Sequence, residues 1–514
     1  MARTSHHEPV ERVRGMLDQL PEAAARIQQI TANLAVTFER SGFRPVHVPV
    51  VEFSELFLRK SGADVVSKMY AFTDHGGRRI ALRPELTAPV ARLYVNNAHQ
   101  FTLPARLWYS GPAFRYEKPQ RGRYRQFTQM GVELLGAPPG LADAELIALA
   151  CAGLDRLGIT DYRIVIGHLG VVLGMLAAFD LETRMRAAVL QALEGLKKSP
   201  ESAISTRRWL EGLVGLDTDR PAAEGPEEFN EEVHALLATM DRPQAVKLVR
   251  SLLGTLRTEL GGGRDPDEIV DRLLQRLSRT GDAARLDRAV RFVTDLAAVA
   301  GPKEQALPAT EALLRQYGVP LQALEEFQQV CEELDAFGMD WSRVTVDLSL
   351  GRGLQYYTGP VFEIYCSSLG AESQLCGGGR YDGLVRDLGG RDDVPALGFS
   401  YGLERLALVT VDTPRTAAAN NTALVVALHP SARAQAVRAA ETLRDVGIRA
   451  ELDVLGHGRR QALEHARRTG RSMCALIGEP EIAAKHARLR WLGTGEEVTV
   501  PLERLAEHAL KGSA

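Results

Sequence analysis

Cysteine is scarce: Cys151, Cys331, Cys366, Cys376 and Cys474 are the only five in 514 residues, and no two form a C-x-x-C pair. An odd count without paired spacing argues against a disulfide framework and a zinc ribbon. It favours a reducing compartment, so the cytoplasm is the expected location. Long apolar runs are missing too. No stretch reaches the roughly 18 uninterrupted apolar residues of a membrane-spanning helix, and the polar residues 1–14 lack the apolar segment of a secretory signal. Neither sign of charge dominates, with 62 Lys and Arg against 65 Asp and Glu and a net charge of -3. No overall basic field marks a nucleic-acid binder, although a local patch on such a protein can still hold a phosphate backbone. The chain has no G-x-x-x-x-G-K-[ST], which removes the P-loop as its way of binding ATP. It has no H-E-x-x-H or other spaced ligand set, so its 12 histidines read as surface or core residues rather than metal ligands.

What is present is a globular composition, 45% hydrophobic and 25% charged, with length for about three to four domains. Pro21 opens a helical pattern that places Ile27, Ile30, Leu34 and Phe38 on one face, with Gly42 as its stop. An extended run over 46–51 follows. Pro49 inside it cannot donate to a ladder, which predicts an edge or an interface. Strands and short helices then alternate to about residue 176. Helical periodicity takes over from 178 to 340, as in Ile269, Val270, Leu273, Leu274 and Leu277 behind the start signal Asp265, Pro266 and Glu268. This reads as a helical insertion between two parts of one sheet domain, residues 1–177 and 341–411. After a polar linker, strands and helices alternate over 423–477, predicting a small α/β domain over 421–514.

Residues 106–136, RLWYSGPAFRYEKPQRGRYRQFTQMGVELLG, carry the most chemistry. They read as two strands joined by a basic loop at 118–122. Alternation puts Arg115 and Glu117 on one face of the first strand, and Arg125, Phe127, Gln129 and Glu133 on one face of the second, with Gly131 leaving room. The opposite face, Tyr124, Met130, Val132 and Leu134, is the more apolar. The pattern fits a core on one side and a charged ligand on the other; a solvated hairpin with cross-strand ion pairs fits it as well. Gly377 to Gly379 fit a tight turn, Tyr356 and Tyr357 fit ordinary sheet packing, and Arg405 fits a surface helix, each taken alone.

The neighbouring segments add context: RGMLDQLP (14–21), VPVVEF (48–53), KMYAFTD (68–74) and RPELTAPVAR (83–92) come before the hairpin. GRGLQYYTGPVFE (351–363), CGGGRYDGL (376–384) and GFSYGLERLAL (398–408) follow the helical stretch. In this order the chain resembles histidyl-tRNA synthetase. VPVVEF, FRYE with QRGRYRQF, and GLERL resemble the three class II motifs, and the GRGLQYYTGPVFE and CGGGRYDGL segments resemble the signatures of the histidine enzyme. The resemblance covers about 11–176 and 342–410, and the final domain more loosely.

It implies an α+β fold: a six-stranded antiparallel class II catalytic sheet, a helical insertion and a C-terminal α/β anticodon-binding domain, in a homodimer with Pro49 near its interface. It implies activation of histidine by ATP to histidyl-adenylate, then transfer to the end of histidine tRNA. Planar guanidinium groups suit that chemistry, because they offset the repulsion between carboxylate and phosphate and clamp phosphate oxygens. By resemblance Arg115 grips the α-phosphate, Arg405 the γ-phosphate, and Arg352 bridges the substrate carboxylate and α-phosphate, a role that a metal takes elsewhere in class II. Mg2+ accompanies the ATP. Phe127 stacks on adenine, with Glu117 and Arg123 beside the nucleotide. Glu133 and Tyr357 read the imidazole, while Glu85, Thr87 and Gln129 hold the ammonium and Tyr356 lines the pocket. Arg459, Arg460, Arg467 and Arg468, with Arg471 beyond them, offer a solvated helix face or, by resemblance, an RNA-contacting one.

Two features depart from the family pattern. Gln355 stands where an acidic residue is usual, which bears on catalytic efficiency rather than fold, and the insertion is long. A second reading is a histidine-sensing regulatory subunit of ATP phosphoribosyltransferase, similar in TAPVAR and YYTGPVFE. The retained Arg115, Arg352 and Arg405 and the final domain weigh against it. A paralogue that loads a carrier other than tRNA is a third.

Overall fold

The strand alternation read over 106–136 becomes the centre of the main sheet. The computed structural model describes residues 10–59, 63–181, 284–351, 356–372, 374–410 and 421–511, with a few positions between 185 and 206. The helix expected around Ile269 to Leu277, the linker after residue 411, Arg352 and Gln355 lie outside the described residues. The chain divides into two units, 1–411 and 412–514.

In the first unit, β1 (Arg44–Pro45), β5 (Ala105–Phe114), β6 (Gln126–Leu135), β7 (Arg163–His168), β8 (Val344–Val346), β9 (Pro360–Tyr365), β10 (Gln374–Arg380) and β11 (Ala396–Gly402) form one sheet, in the order β1-β5-β6-β11-β10-β9-β7-β8. The six inner strands are antiparallel throughout, and β1 and β8 add one parallel strand at either edge. One face is apolar: Met130, Val132 and Leu134 of β6 pair with Tyr401, Phe399 and Leu397 of β11 and are buried. The helix Pro21–Arg40 covers it through Ile30, Leu34 and Phe38, starting at Pro21 as its sequence predicts. Phe38 packs on Trp108, Phe399 and Tyr401. The helix Leu141–Arg156 lies on the same face, where Tyr401 donates to the Ala150 carbonyl at 2.5 Å. Helices Lys303–Tyr317 and Gln322–Ala336, from the stretch read as an insertion, bury Leu314, Leu324 and Phe327 in this same core.

The extended run around Pro49 divides into two edges. Residues 44–45 join the large sheet, whereas β2 (Val51–Phe53) is an edge of a second sheet with β3 (Tyr70–Thr73) and β4 (Arg79–Leu82), ordered β2-β4-β3. Between them the buried Arg83 guanidinium donates to the carbonyls of Val48 (2.6 Å), Pro49 (3.1 Å) and Pro112 (2.7 Å), satisfying acceptors where the chain passes from one sheet to the other. The register of the small sheet aligns Phe53, Ile80 and Phe72, and likewise Val51, Leu82 and Tyr70, on one face. Phe53, Phe72 and Val51 there are 56%, 49% and 43% exposed, which makes the face apolar and uncovered in this unit.

The second unit has β12 (Thr422–Ala427), β13 (Arg449–Leu452), β14 (Met473–Ile477), β15 (His486–Trp491) and β16 (Glu497–Pro501) in the order β13-β12-β14-β15-β16. The first three are parallel and the last two antiparallel. Ala423 and Val425 face helices Arg433–Asp445 and Leu505–Lys511, while Leu424 and Val426 face Arg459–Arg468. Burial on both sides explains why the β12 sequence is a continuous apolar run. Among the described residues no helix is long and apolar enough to cross a membrane, and all five cysteines are free and buried.

Candidate active site

The face of the main sheet opposite helix Pro21–Arg40 is hollow because its central strands carry almost no side chains there. The register places Gly377 and Gly379 of β10 across from Ser400 and Gly398 of β11, and Ser400 and Gly402 across from Gly131 and Gln129 of β6. Gly377 to Gly379 are thus strand residues rather than a turn. A cavity of about 650 Å³ opens over this floor, lined by Glu85, Thr87, Arg115, Glu117, Arg123, Phe127, Gln129, Tyr356, Tyr357 and Arg405 among others. Of the residues singled out from sequence, Glu133 sits behind the wall rather than on it. Arg352 is outside the described residues, although Gly351 and Tyr356 on either side of it line the cavity.

One end of the cavity is cationic. Arg115 lies just past β5, aimed by its Nε donating to the Pro84 carbonyl at 2.8 Å. Its guanidinium stands 5.4 Å from the centre of the Phe127 ring, and its terminal nitrogens meet no acceptor among the described residues. Arg405 reaches over from helix Leu403–Val409, donating to the carbonyls of Gly122 (2.9 Å) and Gln374 (2.7 Å). Glu117 is clamped by Arg123 and by Lys68 at 3.3 Å. Burial alone would push its carboxyl up, but the Arg123 bond and the charges of Arg123, Lys68 and Arg115 outweigh it and hold the carboxyl below its ordinary value.

Strand alternation misplaces two residues here. Arg115 and Glu117 lie beyond β5, and Arg125 precedes β6. Arg125 therefore turns from the ligand face and stacks on Tyr116, 3.9 Å from its centre, while Tyr124, expected on the apolar face, lines the cavity. The connection between the strands spans 115–125, longer than the basic loop read from sequence, so the pleat no longer dictates direction there.

The other end is a polar pocket. Glu85 is buried at the start of helix Thr87–Asn97, accepting the N–H of Thr87 (2.5 Å) and of Ala88 (3.1 Å), which suits a carboxylate at a helix N-terminus. Burial still pushes its carboxyl up. Gln129 donates weakly to Ser400 Oγ at 3.4 Å, and its buried Oε1 meets no donor among the described residues. Glu133, 1% exposed, accepts hydroxyls from Thr87 (2.7 Å), Tyr109 (3.0 Å) and Tyr381. Thr87 and Tyr381 also line the cavity and link it to that carboxylate.

Tyr109 and Tyr381 were not among the residues expected from sequence. Tyr381 sits inside the CGGGRYDGL signature, so its place was marked but not its role. Tyr109 has only its position, opposite Gly131 in the strand register. Arg380, in the same signature, serves the fold: it is buried against Asp143 (2.8 Å) and also donates to Asp382 and to the Ala137 and Pro138 carbonyls. A Cβ on Gly398 would run into Glu133 Oε2 and the Val132 carbonyl. Gly398→Ala is therefore expected to lower stability by about 2–4 kcal/mol through overpacking beside a buried carboxylate; an unchanged unfolding midpoint in urea would show that the floor has slack.

A family model described as histidyl-tRNA synthetase matches residues 15–256 and 223–406, and one described as an anticodon binding domain matches 422–511. The histidine–tRNA ligase of Methanocaldococcus jannaschii is 30% identical over 495 residues, covering 96% of this chain and 98% of the relative. That of Methanosphaerula palustris is 34% identical over 509 residues, covering 98% and 100%. Solved histidyl-tRNA synthetases from Nostoc (TM-score 0.65, 20% identity, 98% of this chain and 100% of that one) and S. aureus (0.63, 24%, 97% and 99%) share the fold. So does a chain from Bacillus halodurans described as an ATP phosphoribosyltransferase regulatory subunit/histidyl-tRNA synthetase (TM-score 0.61, 23% identity, 92% and 99%). With its sheet, its signatures and both family models in agreement over nearly its whole length, the chain belongs to the histidyl-tRNA synthetase family.

Proposed function

We propose that this protein is a histidine–tRNA ligase that activates histidine with ATP in the cavity over the main sheet and passes it to histidine tRNA. The observation that carries this reading is the pairing, in one cavity, of guanidinium groups at one end with a buried carboxylate and hydroxyls at the other. In the first step a carboxylate oxygen of histidine attacks the α-phosphorus of ATP and the bond to pyrophosphate breaks. Arg115, whose terminal nitrogens meet no acceptor among the described residues, meets the charge that builds on the α-phosphate, and Arg405 takes the γ-phosphate. Arg352 is assigned the bridge between substrate carboxylate and α-phosphate. Phe127 supplies the stacking surface for adenine, with Glu117 and Arg123 beside it. In the second step a ribose hydroxyl at the tRNA end attacks the histidyl carbonyl and AMP leaves.

Glu85, Thr87 and Gln129 hold the ammonium, for which Gln129 Oε1, without a donor among the described residues, is a ready acceptor. Glu133 acts on the imidazole through the Thr87 and Tyr381 hydroxyls that line the cavity, Tyr357 reads the ring directly, and Tyr356 lines the pocket. Oxygen donors at the cavity, Glu117 and Glu363, fit a hard cation carried in on the triphosphate. Mg2+ bound there would neutralise phosphate charge. The C-terminal unit, through Arg460, Arg467, Arg468 and their neighbours, serves tRNA in the cytoplasm.

The reading is tested by histidine-dependent exchange of pyrophosphate into ATP and by charging of tRNA with a histidine anticodon. Histidine binding without exchange would favour a sensor. A homodimer is supported by the uncovered apolar face of β2, β4 and β3. Phe53→Asp together with Phe72→Asp is expected to halve the mass seen by light scattering; a wild-type protein already monomeric at micromolar concentration would end the dimer assignment.

A further inference from the structure

The segment ahead of helix Pro21–Arg40 does more than lead into it. The Met16 N–H donates to the Val13 carbonyl at 3.0 Å, closing a four-residue turn, and Gly15 supplies the positive φ of +84° at its third position. The turn offers its carbonyls to one residue: Gly15 accepts the Arg125 N–H at 2.8 Å and Arg14 accepts an Arg125 terminal nitrogen at 3.1 Å. Arg125 in turn holds the three residues that follow β5. Its carbonyl accepts the Arg115 N–H at 2.9 Å, its guanidinium carbon lies 3.9 Å from the centre of the Tyr116 ring, and its Nε donates to the Glu117 carbonyl at 3.1 Å.

We propose that the turn at residues 13–16 and Arg125 form a strap that positions Arg115 and Glu117 for the nucleotide. Both are positioning residues, acting through Arg115 rather than on substrate. The strap reaches the other side of the nucleotide end as well, since Gln19 donates to Glu404 at 3.4 Å, one position from Arg405. Glu404 itself accepts the Thr128 N–H and hydroxyl, tying helix Leu403–Val409 to β6 beside Phe127. Among the described residues no strap residue bonds a histidine-pocket side chain directly; Glu85, Gln129 and Glu133 are held by the start of helix Thr87–Asn97, by Ser400 and by tyrosines.

This inference rests on the ligase reading, and it predicts a split that a merely structural segment would not produce. A Cβ on Gly15 would meet Arg125 Cδ at 2.8 Å and Cγ at 2.9 Å, on a backbone that side chains resist. In pyrophosphate exchange by the full chain, Gly15→Ala is expected to raise the KM for ATP roughly ten-fold while the KM for histidine stays within about two-fold. Arg125→Met, which removes the guanidinium bonds but leaves the residues of the turn unchanged, is expected to do the same, so a folding defect in one variant does not leave the matter open. Melting temperatures read alongside separate loss of fold from loss of position. Equal shifts in both KM values, or an unchanged ATP KM in Arg125→Met, would overturn the strap. Absence of exchange in the wild-type protein would instead overturn the ligase reading.

Discussion

Glutamine in place of Glu133 is expected to shift the stability of the ligand-free protein in the variant's favour between pH 5 and pH 8 while removing most of its histidine-dependent activity. Burial pushes the Glu133 carboxyl up to about 8, against the hydroxyl bonds of Tyr381, Thr87 and Tyr109, and the neighbouring Glu85 charge adds to the rise. Unfolded, the same carboxyl titrates near 4.5. Between those values the folded protein keeps a proton that the unfolded chain has released, so stability falls as pH rises across that window. What the group contributes is fully present below the lower value and lost above the upper one. An amide does not ionise and escapes this loss. The variant should therefore gain about 2–4 kcal/mol relative to wild type on going from pH 5 to pH 8.

The comparison between two pH values matters, because any mismatch of the amide with the three hydroxyls is the same at both and cancels. Activity should move the other way. The Thr87 and Tyr381 hydroxyls that line the histidine pocket would lose their carboxyl partner, lowering kcat/KM for histidine by roughly 10³-fold. A variant whose melting shift is equal at pH 5 and pH 8 would show that Glu133 is not held protonated by burial. One with the histidine KM of wild type would remove it from recognition.

Arg115→Ala is expected to cut kcat/KM for pyrophosphate exchange by about 10²–10⁴-fold, the range typical of removing a preorganised donor from a developing oxyanion. The cost to stability should be small, about 1 kcal/mol, since among the described residues the side chain makes one hydrogen bond, to the Pro84 carbonyl. Arg115→Lys should recover little, because an ammonium keeps the charge but not the planar fork that spans two phosphate oxygens. Circular dichroism of the three proteins, with exchange rates at saturating histidine, checks the point. Exchange in Arg115→Ala within a few-fold of wild type would remove Arg115 from the chemistry.

Much of the site was legible because it is built from strands. In β6 the side chains at Phe127, Gln129 and Glu133 fall on one face by the pleat alone, and the glycines of CGGGRYDGL and GFSYGLERL mark the floor that leaves that face open. The same reasoning failed at Arg125 and Tyr124, one and two residues outside the strand, where period two no longer applies. The Gly377 to Gly379 run was ambiguous for a related reason: glycine permits a turn, and only pairing with β9 and β11 makes it a strand.

The sequence by itself determined the faces of the strands, the start of helix Pro21–Arg40, the family signatures and the alternation of the C-terminal unit, since each depends on neighbours within a few residues. Tertiary structure alone decided that Tyr109 and Tyr381, 24 and 248 residues from Glu133, would be the ones to meet it. It also decided that Arg380 would be spent on Asp143, and that the turn at Gly15 would hold Arg125. A side chain's direction follows from local backbone geometry, but its partner and its protonation follow from what the fold brings within reach and from how far it excludes water.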